Sequence, residues 1–330
     1  MSLTVLKPGL LTTVQDQGRP GYQRHGIVVG GAVDAFAARV ANLAVGNDDR
    51  AAVLEMALTG PELRAGQDLL VAVCGADFSF KVGGHAASRD RPVAVRRGEV
   101  LAFGPARAGA RAWLAVAGGI DVPAVLGSRS TYVRARIGGH EGRPLVAGDV
   151  LAAGRPGPWA TQLWQRLAGG GSRSPAWSIR PETLGRVAGG ATVRATRGPE
   201  WDHFTPEARH AIFGAEYEVT KDIDRMGMRL TGPALMLKEP REEISAAVNV
   251  GVVQVPGSGQ PIVLLVGRQS VGGYARIAAA ATVDLGKLAQ FRPGDRIRFE
   301  EIALAHAHEL LLARERDFAR VRSGLARMGG

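Results

Sequence analysis

Short aliphatic runs, broken by glycine, proline or charge, recur along almost the whole chain. Residues 3–14 read as a strand, a Pro-Gly turn and a second short strand. Further strand-type runs fall at 51–56, 67–74, 78–82, 93–95, 99–103 and 112–117. They are rich in Val, Leu and Ala and bounded by turn residues, as strands on a half-buried pleated surface should be. Many short strands at close spacing, with few helices, predict closed or nearly closed β-barrels. Three helices are expected. Asp34 can cap one over 35–43 with Phe36, Val40 and Leu43 as its stripe, and Gly46-Asn47 ends it. Thr205 and Pro206 start a second that runs to about Phe213. The tail, 303–330, is amphipathic, with a stripe of Leu310, Leu311, Phe318 and Val321, and is expected to dock onto the C-terminal barrel or a partner.

Residues 251–277 concentrate the pattern. Two runs, Val252–Val255 and Ile262–Val266, alternate with glycine-rich turns that carry Gln254, Ser258, Gln260, Arg268, Gln269 and Tyr274. A rigid hairpin presenting polar groups can build a small-molecule site, although a hairpin with solvated turns fits the residues equally well. Residues 154–190 differ in composition: Gly, Pro and Ser are dense, which reads as a linker. It separates two halves that echo each other. Leu-Thr-Gly-Pro-x-Leu occurs at 58–63 and 230–235, and a Gly-acid turn before a strand occurs at 97–101, 147–151 and 293–297. The expected organisation is therefore a barrel over 1–153, a linker over 154–190, a barrel over 191–302 and a helix over 303–330.

With 330 residues the chain suits two domains, and 22% charged residues is ordinary for a folded protein. The net charge of +10 permits nucleic-acid binding. The arginines are scattered, however, and no aromatic residues interleave with them, so no nucleic-acid partner is expected. The single cysteine, Cys74, rules out a disulfide within the chain and points to a reducing compartment. No signal-peptide pattern opens the chain and no apolar run reaches a membrane-spanning length, so a cytoplasmic location and no membrane contact are expected.

The sequence contains no zinc signature, P-loop, Rossmann fingerprint or nucleophile elbow. Gly257-Ser258-Gly259 looks like part of a phosphate loop but lacks its Lys-Ser/Thr ending. The polar loop 15–27 could place Arg19, Arg24 or His25 against an anion, although a solvated loop is the plainer reading. His25 and His203 are the candidate bases. What the residues support is a polar site with several arginines, suited to carboxylate or phosphate groups.

Ordered blocks carry a family resemblance. They are TVQDQGRPGYQRHGI, VANLAVGN, VLEMALTGPEL, AVAGGIDVPAVLGSRSTY, RGPEWDHF, DRMGMRLTGP and VQVPGSGQPIVLLVGRQSVGGY. Over about residues 3–302 the chain resembles the biotin-dependent carboxyltransferase-like family, also called allophanate hydrolase subunit 2 or KipI antagonist (KipA). The C-type subunit of the bacterial ATP-dependent 5-oxoprolinase belongs to it. The resemblance implies a mainly β fold of two tandem cyclophilin-like β-barrel domains, with a few short helices and a C-terminal helix. It implies two partners, a KipI-like B-type subunit and a LamB/YcsF-like A-type subunit. It also implies ATP with Mg²⁺ in the complex, and conversion of 5-oxoproline to L-glutamate. The alternatives are a carboxyltransferase that needs a biotin carrier, and a non-catalytic regulator that binds a KipI-like kinase inhibitor. The candidate catalytic residues are Asp34, Arg129, Arg225 and Arg268. The candidate substrate-binding residues are His25, Gln254, Ser258, Gln260, Gln269 and Tyr274, and no metal ligand is expected. The chain departs from the family pattern at Gly30, Gly267 and Ala275.

Overall fold

A computed structural model describes residues 2–179, 189–239 and 243–327. The chain divides into two compact units, one of residues 1–19, 34–186 and 316–330 and one of residues 20–33 and 187–315.

In the first unit two antiparallel sheets share one core. The larger sheet runs, in neighbour order, Ile120–Asp121, Val150–Ala153, Ser2–Lys7, Glu62–Ala65, Val100–Ala102, Lys81–Val82 and His85–Ala86. The smaller runs Leu11–Gln15, Val53–Ala57, Ala108–Val116, Leu69–Asp77 and Pro92–Val95. Leu3, Leu63, Leu101 and Leu151 from the first meet Val14, Leu54, Val71 and Leu114 from the second, all fully buried. Alternation of side chains across each strand puts these residues on one face. Helix α1 (Ala35–Ala44) begins where Asp34 accepts a hydrogen bond from the Ala37 amide at 2.9 Å, as the cap rule requires.

Part of the stretch expected as linker is a helix. Helix α2 (Pro158–Gly169) starts at a Pro in its first turn, buries Ala160 and Leu163, and has Trp164 Nε1 donating to the Val95 carbonyl. The reason is local: between its glycines, 158–169 carries an apolar stripe at helical spacing. Residues 180–188 of the expected linker lie outside the described residues.

The second unit closes into a seven-stranded barrel. Its order is Gly190–Arg197, Ala275–Ala280, Val252–Val255, Ile262–Leu264, Gly227–Thr231, Glu216–Ile223 and Arg296–Glu301. The last strand pairs with the first in parallel, Val193 opposite Phe299, and that pairing removes the sheet's free edges. Helix α3 (Pro206–Gly214) is capped by Thr205, which accepts from the Ala208 amide. Helix α4 (Leu285–Leu288) is a single turn. Helix α5 (Leu304–Arg327) is the last element among the described residues. Its expected docking on the C-terminal barrel needs correction at its far end. Residues 316–330 belong to the first unit, where Phe318 meets Phe36 of α1 at 5.8 Å and lies under the Arg39 guanidinium at 4.2 Å. Phe318 and Leu325 are the buried members of that end, whereas Leu310, Leu311 and Val321 of the expected stripe are half-buried. Among the described residues no helix is long and apolar enough to cross a membrane.

The three Gly-acid repeats are one structure made three times. Gly98, Gly148 and Gly294 have φ of 85°, 93° and 88°, the left-handed position of a type II turn that favours glycine. In each turn the acid that follows the glycine accepts a backbone amide: Glu99 from Arg96, Asp149 from Val146 and Asp295 from Arg292. In each, the glycine amide donates to a neighbouring strand, at Ala65, Val5 and Val219. Asp149 carries the heaviest load, with Arg143 on both oxygens at 2.7 and 2.9 Å.

The Arg143 bonds hold the Asp149 carboxyl down at about 2, against an ordinary value of 3.8. A carboxylate depressed in the folded state adds stability that is complete above its unfolded value and lost as pH falls through the folded one. Stability should therefore decline between about pH 5 and pH 2, with this group contributing roughly 1 kcal/mol once solvent screening is allowed for. Urea titrations of wild type and Asp149→Asn at pH 7 and pH 3 check this, and the variant should show the smaller loss on acidification.

Candidate functional site

Closure of the second barrel fixes which residues face out. Met228, Val253 and Val263 are fully buried in the barrel core. Their neighbours Arg229, Ile262 and Gln254 therefore point outward, and pairing sets them in one row: Arg229 opposite Ile262, Ile262 opposite Gln254, Gln254 opposite Arg276. A two-stranded ribbon, Ala246–Ala247 with Val271–Gly272, belongs to the same unit. A cavity of about 400 Å³ opens on this outer face. Its polar lining includes Lys221, Arg229, Gln254, Gln269 and Tyr274, with Asp222 and Asp224 also at its wall. Ile262 and Leu264 supply apolar floor. Lys221 sits where the strand Glu216–Ile223 slips register between Val219 and Ile223, and such an irregularity re-aims side chains.

Gln254 is the buried polar member, 2% exposed. Among the described residues its Nε2 reaches only the Tyr274 carbonyl, at a long 3.4 Å. A Cβ on Gly272 would stand 2.6 Å from that Nε2, so a residue without a side chain there makes room for the carboxamide. Asp224 is committed to its hairpin turn, where Oδ1 accepts from the Met226 and Gly227 amides.

The cavity thus gathers Gln254, Gln269 and Tyr274 of the expected set, and leaves the others elsewhere. Arg268 is buried, and its Nε donates to the Val248 carbonyl at 3.0 Å. Burial alone pushes its guanidinium below the ordinary arginine range. Arg225 donates to the Gly31 carbonyl. Ser258 and Gln260 tie the opposite hairpin turn: Gln260 Oε1 accepts from the Gly232 amide at 3.0 Å and its Nε2 donates to the Gly232 carbonyl at 3.1 Å. The Gly257-Ser258-Gly259 stretch closes on itself, with the Gly259 amide bonded to Pro256 and the Gln260 amide to Ser258 Oγ, so those two amides face no phosphate. His25 is exposed on a 3-10 turn, its Nε2 accepting from Arg24 Nε at 3.0 Å. His203 pairs through Nδ1 with Glu243 Oε1 at 2.9 Å. Beside it Glu200 grips Arg276 with both oxygens. Burial opposes the charge on Glu200, yet the Arg276 bonds hold its carboxyl below the ordinary range.

Asp34 and Arg129 lie in the first unit. Asp34 is buried at the start of α1 as its cap. Arg129 donates through Nε to the Val122 carbonyl at 2.8 Å, while its backbone amide donates to Asp16. That contact belongs to a network which the solvated-loop reading of 15–27 missed. Arg19 is fully buried, not solvated, and Asp16 is 8% exposed. Asp16 accepts from the hydroxyls of Ser128 and Ser130 and from the amides of Gly18 and Arg129. Arg19 donates through Nη2 to the Ser130 carbonyl, and its Nε and Nη1 have no partner among the described residues. Burial lowers the Arg19 guanidinium from its ordinary value, opposed by the nearby Asp16 charge. Loop residues are normally exposed, and nothing local marks these as buried; their partners are more than 100 positions away.

Among the described residues no group of three or more His, Cys, Asp or Glu is placed to hold a metal ion.

Comparison with known proteins agrees with this architecture. The model of the carboxyltransferase domain, subdomain A and B, matches residues 25–301. The C-type subunit of the 5-oxoprolinase of Escherichia coli (strain K12) is 36% identical over 316 residues, covering 96% of this chain and 96% of that protein. The urea amidolyase of Lachancea kluyveri is 32% identical over 93% of this chain, which spans only 17% of it. A solved structure of the Kluyveromyces lactis urea carboxylase superposes with a TM-score of 0.87 at 30% identity, over 98% of this chain and 29% of that one.

Removing Asp16 leaves the Ser128 and Ser130 hydroxyls and the Gly18 and Arg129 amides without their acceptor. Asp16→Ala should cost about 2 to 4 kcal/mol, the scale for leaving several partly buried donors without their charged acceptor. Urea denaturation of the two proteins at pH 7 measures it; a loss under about 1 kcal/mol would contradict the role given to Asp16.

Proposed function

Because the chain belongs to the family of the carboxyltransferase domain, subdomain A and B, we propose that it is the C-type subunit of an ATP-dependent 5-oxoprolinase. The observation that carries this reading is the end-to-end match with the Escherichia coli 5-oxoprolinase chain, 96% of both proteins. The urea amidolyase match, in contrast, places this chain against a small part of a much longer protein. The reaction is opening of the 5-oxoproline lactam to L-glutamate, driven by ATP hydrolysis. Its partners are a KipI-like B-type subunit and a LamB/YcsF-like A-type subunit.

The outer-face cavity supports the substrate assignment. At about 400 Å³ it suits a small ligand, and its lining combines carboxamides with the cations Lys221 and Arg229 and the carboxylates Asp222 and Asp224, of which Asp224 is committed to its turn. The Gly257-Ser258-Gly259 turn has committed the Gly259 and Gln260 amides, so those two do not form a phosphate cradle for ATP. We assign ATP and Mg²⁺ to the assembled complex and route no step of this chain's chemistry through them. What this chain's residues do is bind and orient. Gln254 and Tyr274 face the substrate, the apolar floor at Ile262 and Leu264 excludes water from one side, and the cations of the wall meet its negative charge.

A second reading has its own support. The superposition on the urea carboxylase favours a carboxyltransferase that works on a biotin carrier and an amide or urea-type acceptor.

Copurifying the chain with its two partner subunits and measuring phosphate release tests the first reading. Release should require 5-oxoproline and all three subunits, and glutamate should form in step with it. Absence of 5-oxoproline-dependent hydrolysis in the full assembly, with activity appearing only when a biotinylated carrier is added and disappearing with avidin, would move the assignment to the second.

A further inference from the structure

Two side chains on the outer face are positioned to divide the recognition of one ligand. Gln254 is 2% exposed and lines the cavity. Its Oε1 accepts no hydrogen bond among the described residues, and its Nε2 makes only the 3.4 Å contact with the Tyr274 carbonyl. Gln260 shows what such a group does when matched, since its carboxamide bonds both the N–H and the C=O of Gly232. The Gln254 Oε1 opens onto the cavity instead of being sealed in the core, so a ligand can take the place of solvent on this carboxamide. The complementary partner presents an N–H and a C=O side by side on one edge, which is the cis-amide edge of a lactam.

Arg229 supplies the other half. It is exposed on the strand Gly227–Thr231, lines the same cavity, and makes no ion pair among the described residues. The nearby Arg276 is different, because Glu200 holds it. Ile262 stands between Gln254 and Arg229 in the row. Two strand spacings put the backbones of those two residues about 10 Å apart, a distance the long arginine side chain can close over Ile262. A planar guanidinium matches a carboxylate with two hydrogen bonds.

We propose that Gln254 and Arg229 set the specificity of this cavity for a cyclic amide bearing a carboxylate, Gln254 reading the amide edge and Arg229 the carboxylate. This rests on the substrate class proposed above but goes further, since it assigns each half of the molecule to one side chain. Gly272 is the third element, because any side chain there displaces the Gln254 carboxamide.

Calorimetric titration of the full-length chain alone separates the two roles. The probes are 5-oxoproline, 2-pyrrolidinone, which lacks the carboxylate, and cyclopentanecarboxylate, which lacks the amide. Arg229→Met should weaken 5-oxoproline and cyclopentanecarboxylate by about tenfold or more and leave 2-pyrrolidinone unchanged. Gln254→Leu should weaken 5-oxoproline and 2-pyrrolidinone and spare cyclopentanecarboxylate. Gly272→Ala should copy Gln254→Leu, giving a second route to the same answer if the leucine variant does not fold. No binding of 5-oxoproline to the wild-type chain, or variants that weaken every probe alike or none, would overturn the proposal. Failure of the functional reading looks different: the assembled subunits would not hydrolyse ATP in response to 5-oxoproline, while the probe selectivity of the isolated chain held.

Discussion

Everything proposed for the second unit depends on the parallel pairing of Gly190–Arg197 with Arg296–Glu301. That pairing closes the barrel, and a closed barrel leaves each strand residue only two directions. Once Met228, Val253 and Val263 are inside, Arg229, Gln254 and Ile262 must be outside, and register decides that they share a row. The cavity therefore lies on the outer wall of the barrel. A one-residue slip in any of these strands would send Gln254 into the apolar interior and dismantle the row.

The parts of this fold visible in the sequence are those with a local cause. Asp34 and Thr205 cap helices because each needs only an amide three residues on. The Gly-acid repeats fold alike at Glu99, Asp149 and Asp295 because the acid, the left-handed glycine and the strand are contiguous. The hairpin at 252–264 was equally legible from its alternation and its turn. What escaped reading depends on distant partners. Nothing near Arg19 says that it will be buried under Ser130, and nothing near Arg229 says that it will share a row with Gln254. The helix in 158–169 was hidden by the glycine and proline that flank it.

The candidate site was half legible for the same reason. Gln254, Gln269 and Tyr274 come from the single motif-rich stretch and do line one cavity. Ser258, Gln260, Arg225 and Arg268 come from the same stretch or from the neighbouring hairpin, but each bonds backbone and holds the architecture in place. A polar residue in a resembling motif can thus hold the fold around this cavity without lining it. The distinction rests on whether its hydrogen-bonding groups are already matched within the chain. Gln260 and Gln254 carry the same side chain and fall on opposite sides of that line.

Methyl-resolved NMR during titration with 5-oxoproline tests the placement of the site most directly, because inward and outward methyls alternate along the same strands. The account predicts shifts at Met226, Ile262 and Leu264, which line the cavity, and none at Met228 or Val263, which face the core. Shifts confined to the core methyls, or to Met236 beside the opposite hairpin turn, would place the ligand elsewhere and contradict it.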